Sequence, residues 1–203
     1  MLGIGLLLAV GGGYLTWRSI DAGPAPAGEV PSVTEFRDRV ALPAFTLRGP
    51  QGEFTEAKLR GKWTLMFFGY TQCPDICPTA LTLMKQLKAV LDASAAVPPA
   101  PTLQVVFVSV DPRRDSHELM AQYLAAFDPS FIGISGDDRA LAPLAGMLGV
   151  FYQRHDGTET RNYTVDHSAA IHLIDPQGRL AAVFPPPQDA AKLAADYQRI
   201  VRR

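Results

Sequence analysis

Short, nearly unbroken apolar runs alternate with amphipathic stretches through the middle of this 203-residue chain. Trp63 to Phe68 is one such run, with the length and composition of a strand covered on both faces. A loop holding Cys73 and Cys77 follows it directly. Pro78 suits the first turn of a helix, and Ala80, Leu83, Met84, Leu87, Val90 and Leu91 then recur on one helical face. Pro98-Pro99-Ala100-Pro101 breaks the chain, and Leu103 to Val110 is a second buried strand. Strand, cysteine loop, helix and strand make a βαβ unit, which predicts a parallel sheet core.

The flanking pattern completes an α/β fold. Phe45-Thr46-Leu47, the turn signal Gly49-Pro50-Gln51-Gly52 and Phe54-Thr55 predict an N-terminal hairpin in a folded unit that begins near Phe36. Ser116 to Phe127 predicts a helix with Leu119, Tyr123 and Leu124 inward, followed by a strand over Phe131 to Ser135 and a helix from about Asp138 to Leu148. The alternation then stops. Phe151-Tyr152 and Tyr163-Thr164-Val165 flank a polar Asp156-Gly157 turn and predict an inserted hairpin before the last strands. Ala169 to Ile174, the Pro176-Gln177-Gly178 turn and Leu180 to Phe184 predict a β-hairpin, and a closing helix runs from about Gln188 to Arg202. There are no internal repeats.

The front of the chain has a different character. Leu2 to Trp17 carries no charge and as a helix covers about 24 Å, slightly short of the roughly 30 Å hydrocarbon core. Tyr14, Trp17 and a snorkelling Arg18 suit a membrane interface, so residues 1–20 read as a membrane anchor. The rival is a cleaved signal segment with Ala25-Pro26-Ala27 as its cleavage site. Residues 21–35, rich in Pro, Gly and Ala, read as a tether, and residues 36–203 as one exported domain. An apolar content of 47% supports a sizeable core. The formal charge of -1, without a basic cluster, excludes a nucleic-acid surface.

Candidate chemistry centres on Cys73 and Cys77, the only cysteines. In an oxidising compartment they form a disulfide unless a reductant or a metal intervenes. If Cys77 caps the Pro78 helix, the macrodipole lowers its pKa and favours the thiolate that both redox and metal chemistry require. A purely structural disulfide across so tight a loop adds little stabilisation. Copper(I) is soft, and two thiolates plus one imidazole complete a three-coordinate site. Four histidines are available. His117 falls in a helix and His155 in the inserted hairpin, both positions of solvated residues, while His172 alternates along a strand and packs in place. His167 lies in the loop Val165-Asp166-His167-Ser168, where it reaches the cysteines if the fold brings the two loops together. Asp111 and Asp115 follow the second strand, where turn and N-cap roles are expected, with Asp115 or Ser116 as the cap. Asp75 lies between the thiols, placed to tune their field or a partner's approach, and Lys62 ends a loop.

Gly61-Lys62-Trp63 through Gly69-Tyr70-Thr71-Gln72-Cys73-Pro74-Asp75-Ile76-Cys77-Pro78, Val110-Asp111-Pro112-Arg113-Arg114-Asp115, Phe131-Ile132-Gly133 and Val165-Asp166-His167-Ser168 together resemble the Sco/SenC family, in order from about Phe45 to Phe184. The resemblance implies a thioredoxin-like domain anchored in a membrane. It would face the periplasm or the intermembrane space and handle copper, as Cu(I) with Cu(II) as the alternative, for cytochrome c oxidase assembly. It implies Cys73, Cys77 and His167 as copper ligands, Cys73 with Cys77 as a reversible disulfide, a thiol reductant, and the copper-receiving oxidase subunit as partner. Gln72 stands where many members have His, at a position that is not a core ligand. The loop before Ala169 occupies the place of the thioredoxin cis-proline, and its lack of proline leaves room for His167. The alternative is a thiol-disulfide reductase that keeps the partner's cysteines reduced through Cys73 and Cys77, with His167 tuning them. A peroxidase has no support beyond one acidified thiol, and a zinc site lacks an obvious fourth ligand.

Overall fold

In the computed structural model, which describes residues 31–93, 102–155 and 163–202, the apolar runs and amphipathic stretches become strands and helices in the order the pattern predicts. Strands β1 (Thr34–Ala41), β2 (Thr46–Gly49) and β3 (Gly52–Thr55) lead through a 3-10 turn, Glu56–Leu59, into β4 (Trp63–Gly69). Helix α1 (Ile76–Ala93), β5 (Leu103–Ser109), α2 (His117–Ala125), β6 (Ile132–Ser135) and α3 (Asp138–Met147) follow. The chain continues with β7 (Tyr152–His155), β8 (Thr164–His167), β9 (Ile171–Ile174), β10 (Arg179–Phe184) and α4 (Ala190–Val201). The expected anchor or signal segment falls outside the described residues, as do most of the expected tether, the Pro98–Pro101 break and the Asp156-Gly157 turn. No helix among the described residues is long and apolar enough to cross a membrane.

Eight strands form one sheet in the order β1-β10-β9-β4-β5-β6-β2-β3. The βαβ expectation holds at its centre, where β4, β5 and β6 are parallel. All seven residues of β4 are buried, as its unbroken apolar run requires of a strand with neighbours on both sides. The other neighbour of β4 is β9, which is antiparallel, with Phe67 opposite Ile171 and Thr64 opposite Ile174. Antiparallel pairing sets the beginning of β9 beside the end of β4, and parallel pairing sets the end of β5 there as well. Three connections therefore leave one edge of the sheet together: the cysteine loop, the segment after β5, and the residues before β9.

Two local expectations are corrected. The polar segment Thr34–Ala41 forms a strand that no apolar run announces, because as the outermost strand, paired only with β10, it needs no buried face. In α2 Tyr123 and Leu124 face inward as expected, with Met120 in place of Leu119, which is 38% exposed. Gly133 of β6 sets this rotation. A Cβ there would lie 3.0 Å from Leu124 Cδ1 and 3.1 Å from Met120 Cβ, so the missing side chain admits these two residues.

Candidate metal centre

Helix α1 begins at Ile76, two residues before Pro78, so Cys77 lies inside its first turn instead of capping it. The expected acidified thiol moves accordingly. The Cys77 backbone N–H points at Cys73 Sγ, 3.4 Å away, so Cys73 receives the donor that a helix N-terminus leaves free. A hydrogen bond from the Cys77 thiol lowers the Cys73 pKa most; burial opposes this, and backbone N–H groups add to the lowering. Cys77 shifts the opposite way, because it holds the shared proton for Cys73 and is fully buried. Gly69, the last residue of β4, makes room for that buried sulfur: a Cβ on Gly69 would stand 2.5 Å from Cys77 Sγ. Both cysteines are free thiols.

His167 is not in a loop; it is the last residue of β8 and pairs with Tyr152 of β7. Its ring packs edge-on between Phe67 and Tyr70, with centroids 5.9 and 5.8 Å away. Nδ1 lies 3.1 Å from the Ser168 carbonyl, which only accepts, so Nδ1 carries a proton and Nε2 faces the sulfurs. Nε2 is 3.8 Å from Cys73 Sγ and 3.5 Å from Cys77 Sγ, and the three atoms lie within 4.8 Å of one another. Metal–sulfur and metal–nitrogen bonds of about 2.3 and 2.0 Å put S and N about 3.7 Å apart in a trigonal centre. The observed spacing matches that of a three-coordinate site. Two soft sulfurs and an imidazole are also the donor set that suits a soft cation.

The remaining candidates separate from this cluster. His155 pairs with Asp166 at 2.7 Å, both side chains more than half exposed. His172 is buried, with Nε2 3.2 Å from the Leu148 carbonyl, the packed role expected of it. His117 opens α2. Asp75 and Lys62 are exposed. Among the described residues, Cys73, Cys77 and His167 are the one group of three or more His, Cys, Asp or Glu side chains that meets around a common point.

Asp111 and Asp115 do more than cap. Ser116 is the cap, accepting from Leu119 N at 3.2 Å. Asp115 is buried and receives Thr71 N at 3.0 Å, Thr71 Oγ1 at 2.6 Å and Ser109 Oγ at 2.6 Å, so it fastens the cysteine loop to the end of β5. Burial raises its pKa against these hydrogen bonds. Asp111, also buried, accepts from the Tyr163 hydroxyl at 2.5 Å. A helix-start pattern explains one acidic residue before α2. Two, with a pair of arginines between them, were the available sign of a further role.

The opposed thiol shifts carry a prediction. Alkylation of the reduced, metal-free protein with iodoacetamide should label Cys73 first, and at a pH well below the ordinary thiol range near 8.5. Cys77 should react only on unfolding, since its pKa is raised and its sulfur enclosed; peptide mapping after a pH series reads both. Equal labelling of the two would contradict the assignment.

The SCO1/SenC family profile matches residues 35–202. The human mitochondrial SCO2 homolog is 37% identical over 144 residues, 71% of this chain and 53% of that protein, so the chain spans about half the length of this relative. A SCO2-like protein of Rickettsia conorii is 35% identical over 184 residues, 89% of this chain and 86% of that protein. The crystal structure of yeast Sco1 with copper bound aligns with a TM-score of 0.73 at 29% identity, covering 80% of this chain and 89% of that one. The thioredoxin-like α/β architecture expected from the sequence is that of these structures. A profile matched over nearly the whole described fold, with relatives above 30% identity, leads to one conclusion: the chain belongs to the SCO1/SenC family.

Proposed function

We propose that this protein is a copper metallochaperone. Reduced Cys73 and Cys77 with His167 take Cu(I) as cargo and pass it by ligand exchange to the copper-receiving subunit of cytochrome c oxidase. The domain works tethered to a membrane, facing the periplasm or the intermembrane space, and a thiol reductant opens the site by reducing a Cys73–Cys77 disulfide. The observation that carries this reading is the convergence of two sulfurs and one imidazole nitrogen within 4.8 Å, from segments 90 or more residues apart. Copper in the yeast relative supports the choice of metal. Binding requires deprotonated sulfurs, so affinity falls as pH drops.

Anaerobic titration of the reduced protein with Cu(I) and with Cu(II), wild type against His167→Ala, tests the reading. The wild type should bind one copper tightly, and His167→Ala, which loses a direct ligand, should fall by more than about a hundredfold in affinity. A thiolate-to-copper(II) charge-transfer band should also depend on His167. Native-like affinity in His167→Ala would remove the third ligand.

A second reading is favoured by one observation, the split between an acidified Cys73 and a protonated Cys77. Thiol-disulfide exchange uses such a pair, an acidified thiol to attack and a second thiol beside it to resolve. Under that reading, reduction of a partner disulfide persists in metal-free protein and tolerates His167→Ala, and neither copper ion is retained in the titration.

A further inference from the structure

The two halves of the candidate centre sit on separate hydrogen-bonded frameworks. The cysteine loop hangs from β4 of the eight-stranded sheet, whereas His167 ends β8, which pairs only with β7. β8 has no ladder to β4; the short link of residues 168–170 to Ile171 of β9, which stands opposite Phe67 of β4, brings His167 near the sulfurs, and side chains fix the freedom that this link leaves. Arg114, in the segment after β5, spans the gap. Its Nη1 donates to Gln72 Oε1, next to Cys73, at 3.2 Å and to the Tyr163 carbonyl, next to β8, at 2.8 Å. Its Nε pairs with the fully buried Asp111, whose other oxygen takes the Tyr163 hydroxyl. The guanidinium lies 3.7 Å from the Tyr163 ring centroid and 5.5 Å from that of Tyr70. Tyr70 in turn meets the His167 ring edge-on. Nη2 is enclosed and has no acceptor among the described residues, which packing alone would not favour. A second arginine holds the other strand of the hairpin to the same segment: Arg154 Nη1 donates to the Val110 carbonyl at 2.7 Å, and Nη2 pairs with Asp138.

We propose that Arg114 is a positioning residue that clamps β8, and with it His167, onto the cysteine loop. It acts through Tyr163, Tyr70 and Gln72 and touches none of the three candidate ligands. A planar fork that stacks and donates in two directions suits this bridge, and a lysine ammonium does not. For copper, the proposal rests on the reading of Cys73, Cys77 and His167 as ligands.

The test uses Arg114→Gln and Arg114→Lys, each alone and combined with His167→Ala. Cu(I) affinity is measured by competition, nitrogen coupling by electron paramagnetic resonance of the Cu(II) form, and folding by circular dichroism and thermal melts. Arg114→Gln should lower affinity about tenfold to a hundredfold, as loss of an outer partner of a ligating histidine does, and weaken the nitrogen coupling. In the His167→Ala background it should have no further effect. If Arg114→Gln fails to fold, Tyr163→Phe keeps the ring and removes only the hydroxyl bond to Asp111, and should show a smaller loss in the same direction. Proton resonances of the His167 ring in metal-free protein, displaced by Phe67 and Tyr70, should move towards solvent-exposed values in either folded variant. Full affinity with unchanged nitrogen coupling, equal losses with and without His167, or unmoved ring resonances would overturn the clamp. If instead the wild type binds no copper, or His167→Ala binds as well as wild type, the copper reading falls while the ring resonances still decide the clamp.

Discussion

Cys77→Ala should abolish tight Cu(I) binding while leaving a folded protein. The sulfur is one of only three donors in the cluster, and no other His, Cys, Asp or Glu among the described residues converges with them to replace it. Outer partners of metal ligands typically contribute tenfold to a hundredfold in affinity, so loss of a direct ligand should exceed about a hundredfold. Serine should not rescue the site, although it keeps the shape, because its oxygen is a hard donor and Cu(I) a soft ion. Competition with a chromophoric Cu(I) chelator, at fixed pH and under anaerobic conditions, reads the difference directly. Cys73→Ala should lose binding to the same degree and should also remove the rapid alkylation at low pH. Retention of wild-type affinity within tenfold in either alanine variant would remove that cysteine from the ligand set.

Gly69→Ala should have the second largest effect, from one added methyl group. Its Cβ would lie 2.5 Å from Cys77 Sγ, 3.0 Å from Phe107 Cε2 and 3.2 Å from Phe67 Cε1. The backbone has little room to retreat, since Gly69 is in register with Ser109 of β5 and its carbonyl accepts Val110 N at 2.9 Å. The sulfur must move, and it stands only 3.5 Å from His167 Nε2. Overpacking of this kind destabilises by about 1–3 kcal/mol, and displacement of one ligand should lower Cu(I) affinity by more than about tenfold. Gly133→Ala is the control. It crowds Leu124 and Met120 more mildly, at 3.0 and 3.1 Å, at a place that holds no ligand, so it should lower the unfolding midpoint and leave the copper affinity of the folded protein unchanged. Denaturant unfolding paired with copper titration separates the two, and equal affinities in the two variants would contradict the role given to Gly69.

Much of the fold was legible because its central elements carry local signals. The apolar run of β4, the helical periodicity after Pro78 and the run of β5 each declare their structure within a few residues. The pairing of two cysteines with His167 was legible too, though only as a possibility until a sheet order placed the beginning of β9 beside the end of β4. Other features had no local signal. The face of α2 is rotated by a glycine on strand β6, and β1 is polar because it is the outermost strand of the sheet among the described residues. Which thiol is acidified turns on a two-residue shift in where α1 begins, within the ordinary imprecision of helix boundaries.

The amino-acid sequence by itself determined the α/β architecture, the presence of two thiols before a helix and the identity of one histidine able to join them. Those properties follow from periodicity and residue type, which act over a few positions. Only the tertiary structure decided that Cys73 receives the helix N–H, that Gly69 admits the Cys77 sulfur, and that Asp115 and Arg114 fasten separate segments around the centre. The first two depend on the course of the backbone through the cysteine loop, and the last two on atoms brought together across tens of residues. In a buried site a shift of a few tenths of an ångström, which no local pattern encodes, decides between a hydrogen bond, a ligand distance and a clash.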